Sequence, residues 1–193
     1  MTEAVVIGGS AGGVEALSVL LPALPAGARV PVFVVLHQPR QRPSLAVDIF
    51  TARCAVPVRE AEDKEPVMPG TIYFAPPDYH LLVDRGEGGM QLALSTDAPI
   101  LFSRPSVDAL FDSAADVYGP RLVGVVLTGA SQDGAAGLAS IGRAGGRTIV
   151  QDPATAAVPL MPQAAIQAWP AAEVMKLASI AGLLAEITRG SGR

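Results

Sequence analysis

A single cysteine, Cys54, means that no disulfide can form within the chain, so nothing here demands an oxidising compartment. Charge is scarce as well: charged residues make up 17% of the 193 residues against 50% hydrophobic, which argues against a disordered chain. The net charge is −4 and the pI about 5.1, and no basic stripe stands out, so nonspecific nucleic-acid binding is not expected. No apolar run reaches the roughly 20 residues that cross a bilayer. Pro22, Pro25 and Pro31 interrupt the most apolar early region. The first residues lack the basic start and long apolar stretch of a signal peptide. A soluble, cytoplasmic protein without membrane insertion is the expectation.

What remains is a chain of short apolar strands alternating with helices. Strands are expected at residues 4–7, 32–36, 56–59, 71–75, 122–127 and 147–151, most of them continuous β-branched runs suited to burial on both faces. Helices are expected at about 12–24, after a Ser44 cap to about 53, from Ser106 to about 118, and over 134–144, 162–168 and 179–188. The Arg85-Gly86-Glu87-Gly88-Gly89 stretch between residues 80–84 and 91–95 signals a hairpin. This alternation predicts an α/β fold: three-layer, doubly wound, with a mainly parallel sheet and an antiparallel hairpin. No repeat, low-complexity tract or linker divides it, so residues 1–193 are expected to form one domain.

Three residues carry the candidate chemistry. Gly8-Gly9-Ser10-Ala11-Gly12 fits Gly-x-Ser-x-Gly at a strand-to-helix turn, where small neighbours let a serine hydroxyl stand above the sheet. Ser10 as a plain helix cap competes with this. A dinucleotide loop does not, because Ser10 occupies the place of its second glycine. His37 closes the second strand as a candidate base. His80, the only other histidine, is better read as a loop-ordering or pocket-edge residue. Asp133, in Thr128-Gly129-Ala130-Ser131-Gln132-Asp133-Gly134, either caps the following helix or orients His37. Each of the three lies just past the carboxyl end of a different expected strand, the edge on which open α/β sheets bind ligands. The order Ser, His, Asp differs from that of the α/β-hydrolases.

Ile7-Gly8-Gly9-Ser10-Ala11-Gly12-Gly13, Leu36-His37-Gln38-Pro39 and Leu127-Thr128-Gly129 through Asp133-Gly134-Ala135-Ala136-Gly137 resemble the nucleophile, histidine and aspartate segments of the bacterial chemotaxis methylesterases, the CheB-type catalytic domain. Ile72-Tyr73-Phe74-Ala75-Pro76-Pro77-Asp78-Tyr79-His80, Arg104-Pro105-Ser106-Val107-Asp108-Ala109-Leu110-Phe111 and Gln151-Asp152-Pro153-Ala154-Thr155 to Met161-Pro162 match as well. The resemblance implies a doubly wound domain that hydrolyses glutamate methyl esters on chemoreceptors, with methanol released, and deamidates certain receptor glutamines. It implies Ser10, His37 and Asp133 as the triad and backbone N–H groups near Ala11 and Ala130 as the oxyanion site. It implies no cofactor and no metal. A hydrolase of another ester or amide, and a non-catalytic binding module of the same fold, are the competing readings.

Three departures from the family stand out. Ala11 replaces the usual threonine, and Ala130-Ser131 replaces the usual Met-Gly, whose methionine position is linked to the oxyanion hole. The chain also opens almost at its first strand, so the expectation is a constitutively active domain without the phosphoacceptor receiver, with any control coming from a separate partner protein or from substrate access. Arg40, Arg42 and Arg104 are candidates for a basic rim that attracts an acidic methylated receptor or similar signalling protein, against a role as ordinary solvated charges.

Overall fold

The computed structural model describes residues 1–37 and 45–189, so the Ser44 cap and the Arg40 and Arg42 rim positions lie outside the described residues. Nine strands and six α-helices follow in chain order among these residues: β1 Ala4–Gly9, α1 Gly13–Leu20, β2 Val32–Leu36, α2 Ala46–Thr51, β3 Val58–Glu60, β4 Ile72–Phe74, β5 His80–Gly86, β6 Gly89–Ser95, α3 Val107–Tyr118, β7 Leu122–Val126, α4 Ala135–Arg143, β8 Arg147–Gln151, α5 Leu160–Ala168, β9 Glu173–Met175 and α6 Leu177–Thr188. Seven strands form one parallel sheet in the order β3-β4-β2-β1-β7-β8-β9, and β5 and β6 pair antiparallel as a separate hairpin. The doubly wound α/β architecture read from the sequence is thus the one observed.

The two-residue period of β1 explains why the sheet is covered twice. Ala4 and Val6 join a core with Phe33, Tyr73, Phe111, Leu138 and Met161, under α3, α4, α5 and the hairpin. Val5 and Ile7 join the opposite core with Leu17, Leu20, Phe50, Ile180 and Leu184, under α1, α2 and α6. Both faces of the central strands are therefore dry, which is why they read as unbroken apolar runs.

Several boundaries differ from expectation, each for a local reason. The long first helix stops at Leu20 and continues as a 3₁₀ turn over Leu21–Ala23, because Pro22 has no N–H to donate to the α-helical ladder. The third strand begins at Val58 rather than residue 56: Pro57 contributes only its carbonyl, which accepts from Ile72 N–H at 2.9 Å. The hairpin arms extend two residues further each, to a turn at Glu87-Gly88. Edge strand β9 has no counterpart among the expected strands, because its residues are exposed or half-buried and present no apolar run.

β1 is the pivot. The chain winds from it to β2 and β4 on one side and later returns to β7, β8 and β9 on the other. Gly8 lets α3 dock on this strand. A Cβ there would overlap Val107 Cγ1 and stand 2.8 Å from its Cγ2. Val107 is fully buried and, being β-branched, stiff. Gly8→Ala should therefore destabilise by about 1–3 kcal/mol through overpacking, and Val107→Ala in the same chain should recover part of that loss. Urea midpoints of the two variants check this. Equal midpoints would show that Val107 yields without cost.

Candidate active site

Strand register brings the first two candidate residues together. Gly9 pairs with Leu36, and His37 N–H donates to Gly9 C=O at 3.0 Å, so Ser10 and His37 leave adjacent parallel strands side by side. On its other flank, Ser10 N–H donates to Thr128 C=O at 3.0 Å, in the loop that follows β7. Glycines make this approach possible. Gly12 takes the left-handed conformation at φ 78° before α1, and a Cβ on Gly129 would come within 2.8 Å of Ser10 Cβ.

The third residue arrives from the far side of β1. His37 Nε2 and Asp133 Oδ2 are 2.7 Å apart, with the histidine side chain 13% exposed and the aspartate wholly buried. Asp133 accepts three further bonds: Ser106 O–H at 2.8 Å, Val107 N–H at 2.7 Å and Asp108 N–H at 2.9 Å. All of these partners are donors, which places an imidazole proton on Nε2 and leaves Nδ1 facing Ser103 Oγ, 3.5 Å away. Burial alone would push the Asp133 carboxyl up. The bonds from His37, Asp108, Val107 and Ser106 outweigh it and hold the group below its ordinary range.

The alternative role of Asp133, as a cap on the helix that follows it, is corrected by these contacts. The N-cap of α4 is Gly134, and the Asp133 carboxylate instead receives the first N–H groups of α3. The reciprocal bond also exists. Asp108, in the first turn of α3, accepts Gly134 N–H at 2.9 Å and Gly137 N–H at 2.7 Å at the start of α4. Each helix thus has its N-terminal donors met by a carboxylate from the other, where the positive end of the helix dipole also favours it. Burial, joined by repulsion from Asp133 and Asp112, pushes the Asp108 carboxyl up to about 6 despite the Gly137 and Gly134 donors.

His80 orders the same region. Its Nδ1 accepts Ser106 N–H at 3.1 Å, so its Nε2–H faces Ala98 C=O at 3.2 Å. It is buried and supports the α3 entry, as the loop-ordering role requires. Ala11 and Ala130 stand at the same sheet edge. Thr128 O–H holds Ala11 C=O at 2.9 Å, and Gly129 is bonded through N–H to Val158 and through C=O to Met161, which fixes the backbone on either side of Ser10. Gln151 anchors this loop from β8 by accepting Thr128 N–H at 2.8 Å.

Arg104 does not sit on the rim as a spare cation. It donates to Asp78 Oδ1 at 2.8 and 3.1 Å and to the carbonyls of Thr96 and Asp97 at 2.7 and 3.0 Å. Sequence reasoning also missed Ser103, whose Oγ is 3.5 Å from His37 Nδ1, and the capping role of Asp108. The Ser106-x-Asp108 spacing at a helix start was the available signal, but its partners lie 25 to 29 residues away. Among the described residues, no group of His, Cys, Asp and Glu is placed to hold a metal ion, and no helix is long and apolar enough to cross a membrane.

A serine, a base and a buried orienting carboxylate at the carboxyl edge of a parallel sheet form an arrangement suited to acyl transfer. Comparison with known proteins agrees. Residues 5–184 match the family model described as CheB methylesterase. A Leptospira interrogans protein provisionally named a protein-glutamate methylesterase/protein-glutamine glutaminase is 41% identical over 98% of this chain and 96% of its own length. Protein-glutamate methylesterase/protein-glutamine glutaminase 1 of Anaeromyxobacter dehalogenans is 42% identical over 93% of this chain, which spans 51% of that protein. The crystal structure of the Thermotoga maritima CheB methylesterase catalytic domain superposes with a TM-score of 0.92 at 34% identity, covering 97% of this chain and 99% of that one. The chain belongs to the CheB methylesterase family.

The donor count at Asp133 bears on its replacement. A carboxamide in its place must turn its NH₂ toward donors, leaving at least one buried N–H or O–H unmet. Asp133→Asn is expected to lose about 10⁴ in turnover, as other triads do, and also about 1–3 kcal/mol of stability. Steady-state kinetics with urea unfolding on the same sample checks both. Loss of stability with unchanged turnover would reduce Asp133 to a cap.

The two aspartates oppose one another in pH. From the ordinary value of 3.8 up to about 6, native Asp108 holds a proton that the unfolded chain has released, so stability falls as pH rises through that window. Asp133, held low, contributes above 3.8 and loses that contribution as pH falls below it. Asp108→Asn keeps a carbonyl acceptor for Gly134 and Gly137. The stability of the parent relative to this variant should therefore decline as pH rises from 3.8 to about 6, and parallel curves in urea titrations would contradict the assignment.

Proposed function

We propose that this protein is a serine-dependent protein-glutamate methylesterase acting on methylated chemoreceptors or similar signalling proteins. The observation that carries the reading is the 2.7 Å bond between His37 Nε2 and Asp133, which leaves His37 Nδ1 as base at the edge where Ser10 emerges from β1. His37 Nδ1 takes the Ser10 proton as Oγ attacks the γ-ester carbonyl. The backbone N–H groups of Ala11 and Ala130 face the oxyanion that forms. Collapse of the tetrahedral adduct breaks the bond to methoxide, which leaves as methanol with the proton from His37. Water, deprotonated by the same nitrogen, then attacks the acyl-serine and frees the glutamate carboxylate. Asp133 stabilises the imidazolium in both halves. With a glutamine side chain the same steps expel ammonia, the second activity in the names of the relatives.

Ser10→Ala should fold as the parent does and lose roughly 10³–10⁶ in turnover. Methanol release from a γ-methylated receptor fragment, with active-site labelling by a serine-directed phosphonate, checks this. Activity near the parent level would remove Ser10 from the mechanism. Turnover of small esters alone would favour a different substrate.

A further inference from the structure

Ile100 and Ser103 exchange both backbone hydrogen bonds, at 3.1 and 2.8 Å, closing a turn in the segment between β6 and α3. At its tip Leu101 and Phe102 have φ of 47° and 67°, the left-handed region that tight turns normally fill with Asn and Gly. Strain of this kind persists only where the surroundings hold it, and it gathers at functional sites. Here it fixes Ser103 from both sides. The N–H and C=O of Ser103 are tied to Ile100, and the next side chain, Arg104, is bonded to Asp78 and to the carbonyls of Thr96 and Asp97. With its backbone held, a serine has one torsion left to place its oxygen, with three staggered choices. The one adopted puts Oγ 3.5 Å from His37 Nδ1.

Each nitrogen of the imidazole thus has a polar neighbour. Asp133 Oδ2 meets Nε2 at 2.7 Å, and Ser103 stands at Nδ1. A bond at Nε2 alone leaves the ring free to rock, because the χ2 well of histidine is broad. A second contact at the other nitrogen removes that freedom. The kind of neighbour matters as well. A hydroxyl both donates and accepts. It donates to Nδ1 while the ring is neutral, and by turning its O–H away it accepts from Nδ1–H once the ring carries a second proton. An N–H group or a carboxylate would suit only one of these states. The 3.5 Å separation is of the long kind found in sites that tighten around substrate.

Resting on the reading of His37 as the base, we propose that Ser103 is a positioning residue, whose hydroxyl keeps His37 Nδ1 aimed at the edge where Ser10 leaves β1 through both protonation states of the ring. Ser103 attacks nothing and keeps its own proton; it acts through the imidazole. When Ser10 presents its O–H to Nδ1, Ser103 has only to rotate its own, and its oxygen stays in place.

The test compares the whole chain with Ser103→Ala and Ser103→Thr, using methanol release from a γ-methylated receptor fragment. Protein labelled with ¹⁵N-histidine is examined by NMR in alkaline buffer, where the ring is neutral, and His37→Gln identifies the His37 signals. Ser103→Ala should move the Nδ1 resonance toward that of an unbonded lone pair and lower kcat by about tenfold with KM unchanged, the loss of one hydrogen bond. Ser103→Thr, which keeps the hydroxyl, should restore both. An Nδ1 resonance that stays put in Ser103→Ala, or a kcat equal to the parent's, overturns the positioning role while methanol release by the parent leaves the esterase reading intact. A lowered kcat with an unmoved resonance marks a merely structural part and overturns it as well. If the parent releases no methanol but the resonance moves in Ser103→Ala and returns in Ser103→Thr, Ser103 positions His37 and the esterase reading falls. If neither is seen, both fall.

Discussion

The site depends on one buried carboxylate. Asp133 has no solvent contact and four donors: an imidazole, a hydroxyl and two backbone N–H groups at the start of α3. A carboxylate in this position is costly unless each lone pair is used, and here the helix supplies what water would. The consequence is that the geometry of the candidate site and the tertiary packing share atoms. The Oδ2 that orients His37 is the same oxygen that receives Val107 N–H, and Val107 is the side chain wedged against Gly8 of β1 and against Gly134. Displacement of α3 therefore moves His37 relative to Ser10.

The cross-capped pair, Asp133 on α3 and Asp108 on α4, locks the two helices at their N-termini. The two carboxylates repel each other and are driven apart in proton affinity, one held down by donors and the other pushed up by burial. A tie of this kind keeps the β7–α4 loop from relaxing once Ser10 and Gly129 have been packed together at its other end. The backbone around Ala11 and Ala130 is anchored by Thr128, Gln151, Val158 and Met161.

A second set of contacts, separate in kind, orders the segment before α3. Arg104 and His80 spend their donors on carbonyls of the segment before α3. Arg104, a candidate rim cation in the sequence, spends its donors on Asp78, Thr96 and Asp97 instead. The same segment brings Ser103 within 3.5 Å of His37 and Ser106 to Asp133.

Much of the architecture was legible from local pattern. Continuous β-branched runs such as Val32–Leu36 suit strands buried on both faces, and Gly8-Gly9-Ser10-Ala11-Gly12 suits a tight exit from one. Ser10, His37 and Asp133 were readable because each follows the carboxyl end of such a strand. Exposed strand β9 was not, since nothing apolar marks it. Local pattern was also silent on which His37 nitrogen faces Asp133, on whose helix Asp133 caps, on the partners of Asp108, and on the two left-handed residues at the tip. Those features join groups far apart in the chain, as between His37 and Asp133, 96 residues apart, or need a backbone conformation that Leu and Phe do not advertise. By itself the sequence determined the buried strands and the three candidate side chains that follow them. Only the packing of α3 and α4 over β1 decided how those side chains are aimed, because that aim is set by hydrogen-bond donors which the two helices bring from elsewhere.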